Sequence, residues 1–367
     1  MNMKNTSFTK SIFVAIAMLL ASVTGFTQKY SNEFLSIGIG ANSMGMGNAT
    51  VAGINDVTAT YWNPAGLANI SNGDGVQLGA MHAEWFAGIS KHDYLGATIP
   101  MAKEGRRLAI SLIRNGIDGI PNTLSLYNDD GSINYDNVTE FSAADYAIMF
   151  SHARVLNVKK GKLLVGGNAK VIYRSIGQFA NSWGFGIDLG AQYHINKWKF
   201  GFMGSDITTT FNAWSIHFSE AEKAVLEANG NQVSIKSLEI TKPRFTLGAR
   251  RSFLFKKVEL EPEVDVIFTT DGKRNTLVSA DPISIDLAIG MQALYNNFLS
   301  VRAGVSQFQK SKDFNGKETT ILRPSFGVGL KLGALTVDYA YSNPSDGNNR
   351  YAHIVSLLFR MRPKEKE

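Results

Sequence analysis

From residue 75 onward, apolar and polar positions alternate with a period of two, the period of a half-buried strand and not of a helix. The stretch 257–268, KVELEPEVDVIF, is the clearest case: Val258, Leu260, Pro262, Val264, Val266 and Phe268 share one face, and Glu259, Glu261, Glu263 and Asp265 the other. Residues 283–294 repeat it, with Ile283, Ile285, Leu287, Ile289 and Met291 opposed to Ser284, Asp286, Gly290 and Gln292. So do 322–332 and 182–195, where Trp183, Phe185, Ile187 and Leu189 oppose Gly184, Asp188 and Gln192. About fourteen such runs follow one another, several of them as long as the roughly 9–11 residues of a tilted strand that crosses a bilayer. An even number returns the chain to its starting side, as a closed single-chain barrel requires.

The connections give an independent test. One set is tight: 102–105, 153–161, 196–197, 254–257, 295–297 and 333–334. The alternate set is longer: 118–138, 206–241, 270–282, 309–319 and 342–351. Short inner turns and long outer loops are the habit of outer-membrane barrels, and a soluble sandwich predicts no such alternation. Closure has a physical cause, since an open sheet edge in lipid leaves backbone groups unpaired at several kcal/mol each.

Cost decides which face meets lipid. Four carboxylates on one strand cannot all enter hydrocarbon, so Glu259, Glu261, Glu263 and Asp265 are expected to face the interior. The same alternation turns Lys170, Arg174, Arg244, Arg250, Asp286, Arg302, Arg323, Lys331 and Asp338 inward, giving a lumen of both signs whose members can pair. Trp183, Tyr193, Trp198, Tyr339, Tyr341 and Phe359 fall toward strand ends, as interfacial girdle residues do. Within 206–241, FSEAEKAVLEANG (218–230) reads as a short outer helix with Ser219 as its N-cap and Asn229-Gly230 as its stop.

Ahead of the alternating region, 34–68 reads FLSIGIGANSMGMGNATVAGINDVTATYWNPAGLA, rich in Gly, Ala and Ser, with Asp56 its only acid. It cannot form a core alone and reads as a compact insert packed against something larger. Pro64 restricts Asn63 to extended geometry, making YWNPAGL a rigid turn beside two aromatics. Before it, Lys4 and Lys10, an apolar run from Ile12 to Leu20, and small residues near Gly25 and Thr27 make 1–27 a secretory signal peptide. That run is too short to span a membrane, and no later stretch is long and apolar enough to span as a helix. The organisation expected is signal peptide 1–27, insert 28–74, barrel 75–360 and tail 361–367.

Composition narrows the chemistry. With no Cys among 367 residues, disulfides and thiolate metal sites are excluded. A net charge of +6 is spread along the chain, so no nucleic-acid footprint is expected. GIGANSMGMG has neither the Lys nor the strand–helix context of a phosphate loop. His82, Glu84, His92 and Asp93 straddle the first outer loop without a metal-binding spacing, and His194 and His353 lack a readable Ser–His–Asp arrangement. No catalytic residue, metal or cofactor is expected.

The order and spacing FL-x-IG-x-GA, GMG-x-A-x-VA, Asp56 and YWNPAGLA resemble the FadL-like outer-membrane proteins, and within them the PorV/PorQ family associated with type IX protein secretion. The resemblance implies an all-β, 14-stranded antiparallel transmembrane barrel whose N-terminal segment plugs the lumen as a hatch, with Gly45, Met46, Gly47, Asp56, Trp62, Asn63, Pro64, Ala65 and Gly66 as the hatch motif. It also implies a non-enzymatic outer-membrane protein that contacts lipid and binds secretion substrates or surface partners through its outer loops. The alternative is a FadL-like transporter of hydrophobic small molecules such as fatty acids, with Trp62, Phe86, Phe211 and Trp214 as a pocket wall.

Overall fold

The computed structural model describes residues 31–86, 88–128, 130–230, 236–312, 316–343 and 351–362; the expected signal peptide and most of the expected tail lie outside them. The strands are β1 (Val76–Trp85), β2 (Ser90–Pro100), β3 (Arg106–Asn122), β4 (Thr139–Leu156), β5 (Lys162–Ile176), β6 (Ala180–Ile195), β7 (Trp198–Ser205), β8 (Thr210–Ile216), β9 (Lys236–Thr241), β10 (Arg244–Arg251), β11 (Phe253–Phe255), β12 (Val258–Thr269), β13 (Ser284–Tyr295), β14 (Leu299–Lys312), β15 (Glu318–Leu332), β16 (Leu335–Ser342) and β17 (Ala352–Met361). All belong to one antiparallel sheet, and β1 pairs with β17, so the sheet closes on itself.

The barrel has 14 strands. β10 and β11 are one stave interrupted at Ser252, since both pair with β12. β8 and β9 form a hairpin laid onto the outer half of β6, where Ala180–Phe185 faces Ile216–Phe211. The inner half of β6 pairs with β7, whose other edge meets β10.

Alternation places side chains as the pattern requires. Leu95, Phe150, Phe185, Leu247, Val264 and Phe326 stand exposed on the outer face, forming an apolar belt. Aromatics flank the belt. Tyr173 and Trp183 (centroids 4.8 Å apart) lie toward the outer end with Tyr339 and Tyr341, and Trp198 and Phe200 (5.7 Å) toward the inner end with Tyr193. Apolar belt and aromatic girdles are what a bilayer selects. No described helix is long and apolar enough to cross a membrane.

Three outer connections differ from expectation. β3 and β4 continue their ladder to Asn122 and Thr139, and β14 and β15 to Lys312 and Glu318, so strand replaces part of 118–138 and 309–319. Within 206–241 lie the β8–β9 hairpin and the expected outer helix, Glu220–Ala228. A ladder can outgrow the membrane because its pairing does not depend on lipid, and the polar loop sequence hides it. The β13–β14 ladder does the opposite and stops at Ile289–Val305. Beyond that point β14 is bulged between Ser306 and Gln309, and Asn275 hydrogen-bonds the Lys310 main chain at 2.8 and 2.9 Å in place of a strand.

Candidate functional site: the lumen and its outer mouth

The N-terminal segment is a series of short turns. It holds α1 (Ala41–Met44) and α2 (Ala59–Trp62), with 3-10 turns at Glu33–Ser36, Pro64–Asn69 and Asn72–Asp74. Asp56 organises it locally, accepting from Thr58 N at 2.8 Å, Thr58 Oγ1 at 2.6 Å and Asn42 Nδ2 at 2.8 Å. Asn63 is extended as its Pro64 neighbour demands, and its Oδ1 accepts from Ala65 N at 3.2 Å. Its Nδ2 donates to Val51 O (2.9 Å) and to the wall carbonyl of Ala191 (3.1 Å). Trp62 Nε1 donates to Ile39 O at 2.9 Å, tying the two glycine-flanked halves together.

The segment runs the depth of the barrel. At the outer mouth Ser31 Oγ donates to Glu239 at 3.0 Å, and Glu33 pairs with Arg274 at 2.8 Å. At the inner rim Asn72 donates to Met101 O at 3.1 Å, and fully buried Arg107 donates to Ser71 O, Gly75 O and Ile70 O at 2.6, 2.9 and 3.3 Å. Between these ends, inward-facing glycines leave room for backbone. A Cβ on Gly304 or Gly290 would overlap the Met46 main chain, and one on Gly166 would overlap Pro64. Gly45 lies against Gly327, and Gly66 against Ile54 O. Gly47, in left-handed conformation (φ 64), lies against Val305.

Most of the lumenal charges join networks. Asp265 Oδ2 accepts the N–H groups of Thr50 and Val51 at 2.8 and 3.0 Å, and Glu263 Oε1 those of Ala52 and Gly53 at 2.6 and 3.3 Å. Arg250 pairs with Glu263, and with Glu261 at 3.3 Å; Lys199 joins Glu261 at 3.1 Å. Gln292 links Glu261 to Arg302, which pairs with Asp338 at 2.6 Å. Lys170 bridges Asp188 (2.8 Å) and Asp206 (2.6 Å), and Arg174 joins Asp145 (2.7 Å) and Glu239 (3.2 Å) beneath the Trp214 ring. Connected pairing of this kind offsets the cost of removing charges from water. Arg323 lies over the Trp85 ring, and Asp286 accepts from Leu287 N at 2.9 Å. Glu259 and Lys331 stand on the inward face near the inner rim, only partly buried.

Two cavities open toward the outer side. The mouth pocket, 560 Å³, lies among β3, β4, β6, β8 and the outer helix α3 (Glu220–Ala228); Leu124, Phe141, Phe179, Trp214, Ile216 and Phe218 line it. Ser219 caps α3 in a full capping box with Glu222. The Trp214 indole N–H is buried there with no partner among the described residues. The lumenal cavity, 310 Å³, lies between the N-terminal segment and the unzipped part of the β13–β14 seam, bounded by Tyr61, Trp62, Met203, Arg244, Ile267 and Asp286. Burial alone would lower the pKa of Arg274 at its rim, but the hydrogen bonds it donates to Asp271 and Glu33 raise it above the ordinary arginine value.

The expected pocket wall is split. Trp62 lines the lumenal cavity and Trp214 the mouth pocket, whereas Phe211 points outward and Phe86 stands exposed at the β1–β2 turn. The polar group of the first outer loop is split as well. His82 pairs with Asp93 on the outer face at 2.7 Å, while His92 is buried inside, 3.2 Å from Gly38 O. No three His, Asp or Glu among the described residues converge on a metal position. His194 faces inward beside Gln192, and His353 outward against Tyr339, so the two histidines share no site. Sequence reasoning missed the wall glycines as seats for the insert; their signal was glycine recurring on the polar face of strands such as 182–195.

No protein-family model matches the chain, and no curated protein matches it in sequence. Solved structures do match. The CymD monoaromatic hydrocarbon channel aligns at TM-score 0.54 with 14% identity, over 89% of this chain and 98% of that one. A deltaS2 mutant of the TodX monoaromatic hydrocarbon channel aligns at 0.50 with 13% identity, over 88% and 99%. A Pseudomonas aeruginosa FadL homologue aligns at 0.49 with 12% identity, over 86% and 96%. The chain is a closed antiparallel β-barrel of the outer-membrane kind, with the fold of the CymD and TodX channels. None of these likenesses supports the PorV/PorQ branch or type IX secretion partners.

Proposed function

We propose that this protein is an outer-membrane channel for small hydrophobic or amphipathic molecules, with residues 28–74 as a hatch inside the barrel of residues 75–360. The mouth pocket carries the reading: about six large apolar side chains gather at the outer opening, where a soluble loop cluster would be polar. Trp214, with an unpaired indole N–H, adds one polar anchor to that apolar wall. The structural neighbours named as monoaromatic hydrocarbon channels support the same class of cargo. The hatch motif residues then act by seating the segment: Gly45, Met46 and Gly47 on β13–β15, Asn63, Pro64 and Ala65 on β5 and β6, and Asp56, Trp62 and Gly66 within the segment. Docking of secretion partners on the outer loops has no observation of its own in the molecule.

The test is binding of toluene and of octanoate to purified protein reconstituted in nanodiscs, with uptake into proteoliposomes as the second readout. Saturable binding of at least one, lost on filling the mouth pocket by Ala180→Trp, is the expected result. Absence of both binding and uptake would remove the channel reading.

A further inference from the structure

We propose that the lipid-facing wall of β1–β6 carries a site for one anionic phospholipid of the inner leaflet, its phosphate held by Arg106 and Arg154. The site lies on the outside of the barrel, so it goes beyond the channel reading and does not depend on it.

Two neighbouring inner turns supply the charge. Residues 101–106 and 153–161 hold Lys103, Arg106, Arg154, Lys159 and Lys160 against a single acid, Glu104. The main chains of the two turns meet where Val155 N donates to Gly105 O at 2.9 Å. Glu104 accepts from Asn72 N at 3.4 Å, and none of the five cations has a carboxylate within 4.0 Å among the described residues. Arg106 and Arg154 are direct register partners on β3 and β4. Both face outward, since Arg107 and Ala153 beside them are buried inside while Leu108 and His152, the next outward pair, stand exposed. Like charges directly opposite each other destabilise a sheet. Further along the same face the cations are matched, Arg114 by Asp93 and Lys91 by Asp118, each at 3.1 Å. An anion seated between Arg106 and Arg154 would remove their repulsion, and lipid is what lies on that side.

The wall beside the arginines is shaped for acyl chains. On β5, Val165, Gly167 and Ala169 face outward, in register with Arg154, His152 and Phe150 on β4 and with Ala191, Leu189 and Ile187 on β6. Small residues on the floor between larger ones leave a trough of 590 Å³, which reaches His152, one outward position from Arg154. A second trough, 670 Å³, lies over β1–β3 between Ala80, Leu95, Leu112 and Leu357, and meets the first at Ala97 and Ile110. Two adjoining apolar troughs with a pair of guanidinium groups at their inner end are complementary to two acyl chains and one phosphate. The planar fork of each arginine can bond two phosphate oxygens. A zwitterionic headgroup brings its own cation to the same place, so the site favours a lipid of net negative charge. The outer leaflet is out of reach, because Arg106 and Arg154 adjoin the inner turns.

The experiment is native mass spectrometry of the full chain in non-ionic detergent, titrated with phosphatidylglycerol or phosphatidylcholine of identical acyl chains. The variants are Arg106→Gln with Arg154→Gln, Arg106→Lys with Arg154→Lys, and Gly167→Leu, which fills the trough and leaves the charges alone. A Cβ on Gly167 meets Leu189 Cδ2 at 3.1 Å and Asp188 O at 3.3 Å, contacts that small shifts relieve. Arg251→Gln removes an outward-facing cation from the inner rim away from both troughs, and is the charge control. Heat-modifiable migration on SDS gels shows that each barrel is folded. In wild type the first phosphatidylglycerol is expected to bind about fivefold or more tightly than the first phosphatidylcholine. The double Gln variant should bring the two lipids to parity, and the double Lys variant should keep part of the preference. Gly167→Leu should weaken the first phosphatidylglycerol, and Arg251→Gln should leave it unchanged. Parity in wild type, or a preference undiminished in the double Gln variant or in Gly167→Leu, overturns the proposal. So does a loss as large in Arg251→Gln as in the double Gln variant, which would assign the preference to the charge of the whole rim.

Discussion

Asp265, on the inward face of β12, holds the backbone N–H of Thr50 at 2.8 Å, and the same oxygen takes the next N–H, of Val51. With Glu263 gripping Ala52 and Gly53, one strand captures four consecutive amides of the N-terminal segment. The grip is on main chain, so it fixes the position of the segment whatever its side chains do. Hydrogen bonds to a charged partner contribute about 1.5–3 kcal/mol each.

Asp265→Ala is expected to loosen residues 50–53 while leaving the barrel closed. Hydrogen exchange at those amides should accelerate at least tenfold, and planar-bilayer recordings should show openings that wild type lacks. Asp265→Asn keeps an acceptor oxygen at the same place, so its effect should be much smaller. Unchanged exchange in Asp265→Ala would mean the segment is held elsewhere.

A second expectation concerns space. Gly304 faces inward on β14, and a Cβ there would collide with the Met46 main chain, which cannot swing aside as a side-chain tip can. Gly304→Val should therefore displace the segment or strain the wall, lowering Tm by several degrees and exposing the chain before residue 75 to protease. The same substitution at Gly333, in the β15–β16 turn, meets no atom within 4 Å, but its φ of 64° strains any residue with a Cβ. Its cost should be local, about 1–2 kcal/mol, with no new cleavage in the segment.

Much of this architecture is legible in the sequence because closure in lipid enforces a strict period. Glu259 to Asp265 could only face inward, and Val264 only outward, once the strand was recognised. α3 was legible through Ser219 and Glu222, whose capping box is local in sequence. The β8–β9 hairpin was not, because its pairing with β6 is a long-range choice that Phe211 and Trp214 do not announce. Nor was the lumenal cavity. Arg244 shares its alternating face with the paired Arg250, and only the contacts made by the N-terminal segment separate the two.

The mouth pocket gives a third expectation. Trp214 is 9% exposed and covers Arg174, which is itself tied to Asp145 and Glu239. Phe179 packs edge to face on Phe141 at 5.1 Å without touching that network. Phe179→Ala should weaken toluene binding about tenfold, from roughly 1.4 kcal/mol of lost apolar contact, with folding intact. Trp214→Phe removes the unpaired N–H together with part of the ring, and should weaken ligands with an acceptor group more than it weakens toluene. If neither variant changes any affinity, cargo does not pass through this pocket.

The outer face gives the last, through depth. Val264 stands exposed at the middle of β12, between Ile289 and Ala249 on its neighbours, whereas Phe359 stands near the inner end of β17 beside Leu335. If both meet lipid, an arginine at each should cost different amounts, because the midplane is dry and the interface is not. Val264→Arg is expected to destabilise by about 2–4 kcal/mol and Phe359→Arg by about 0–1 kcal/mol. Equilibrium unfolding of liposome-folded protein in guanidinium chloride measures both. Equal, small costs at the two positions would mean that the Val264 face meets water, and the barrel would then need a different solvent from the one its belt implies.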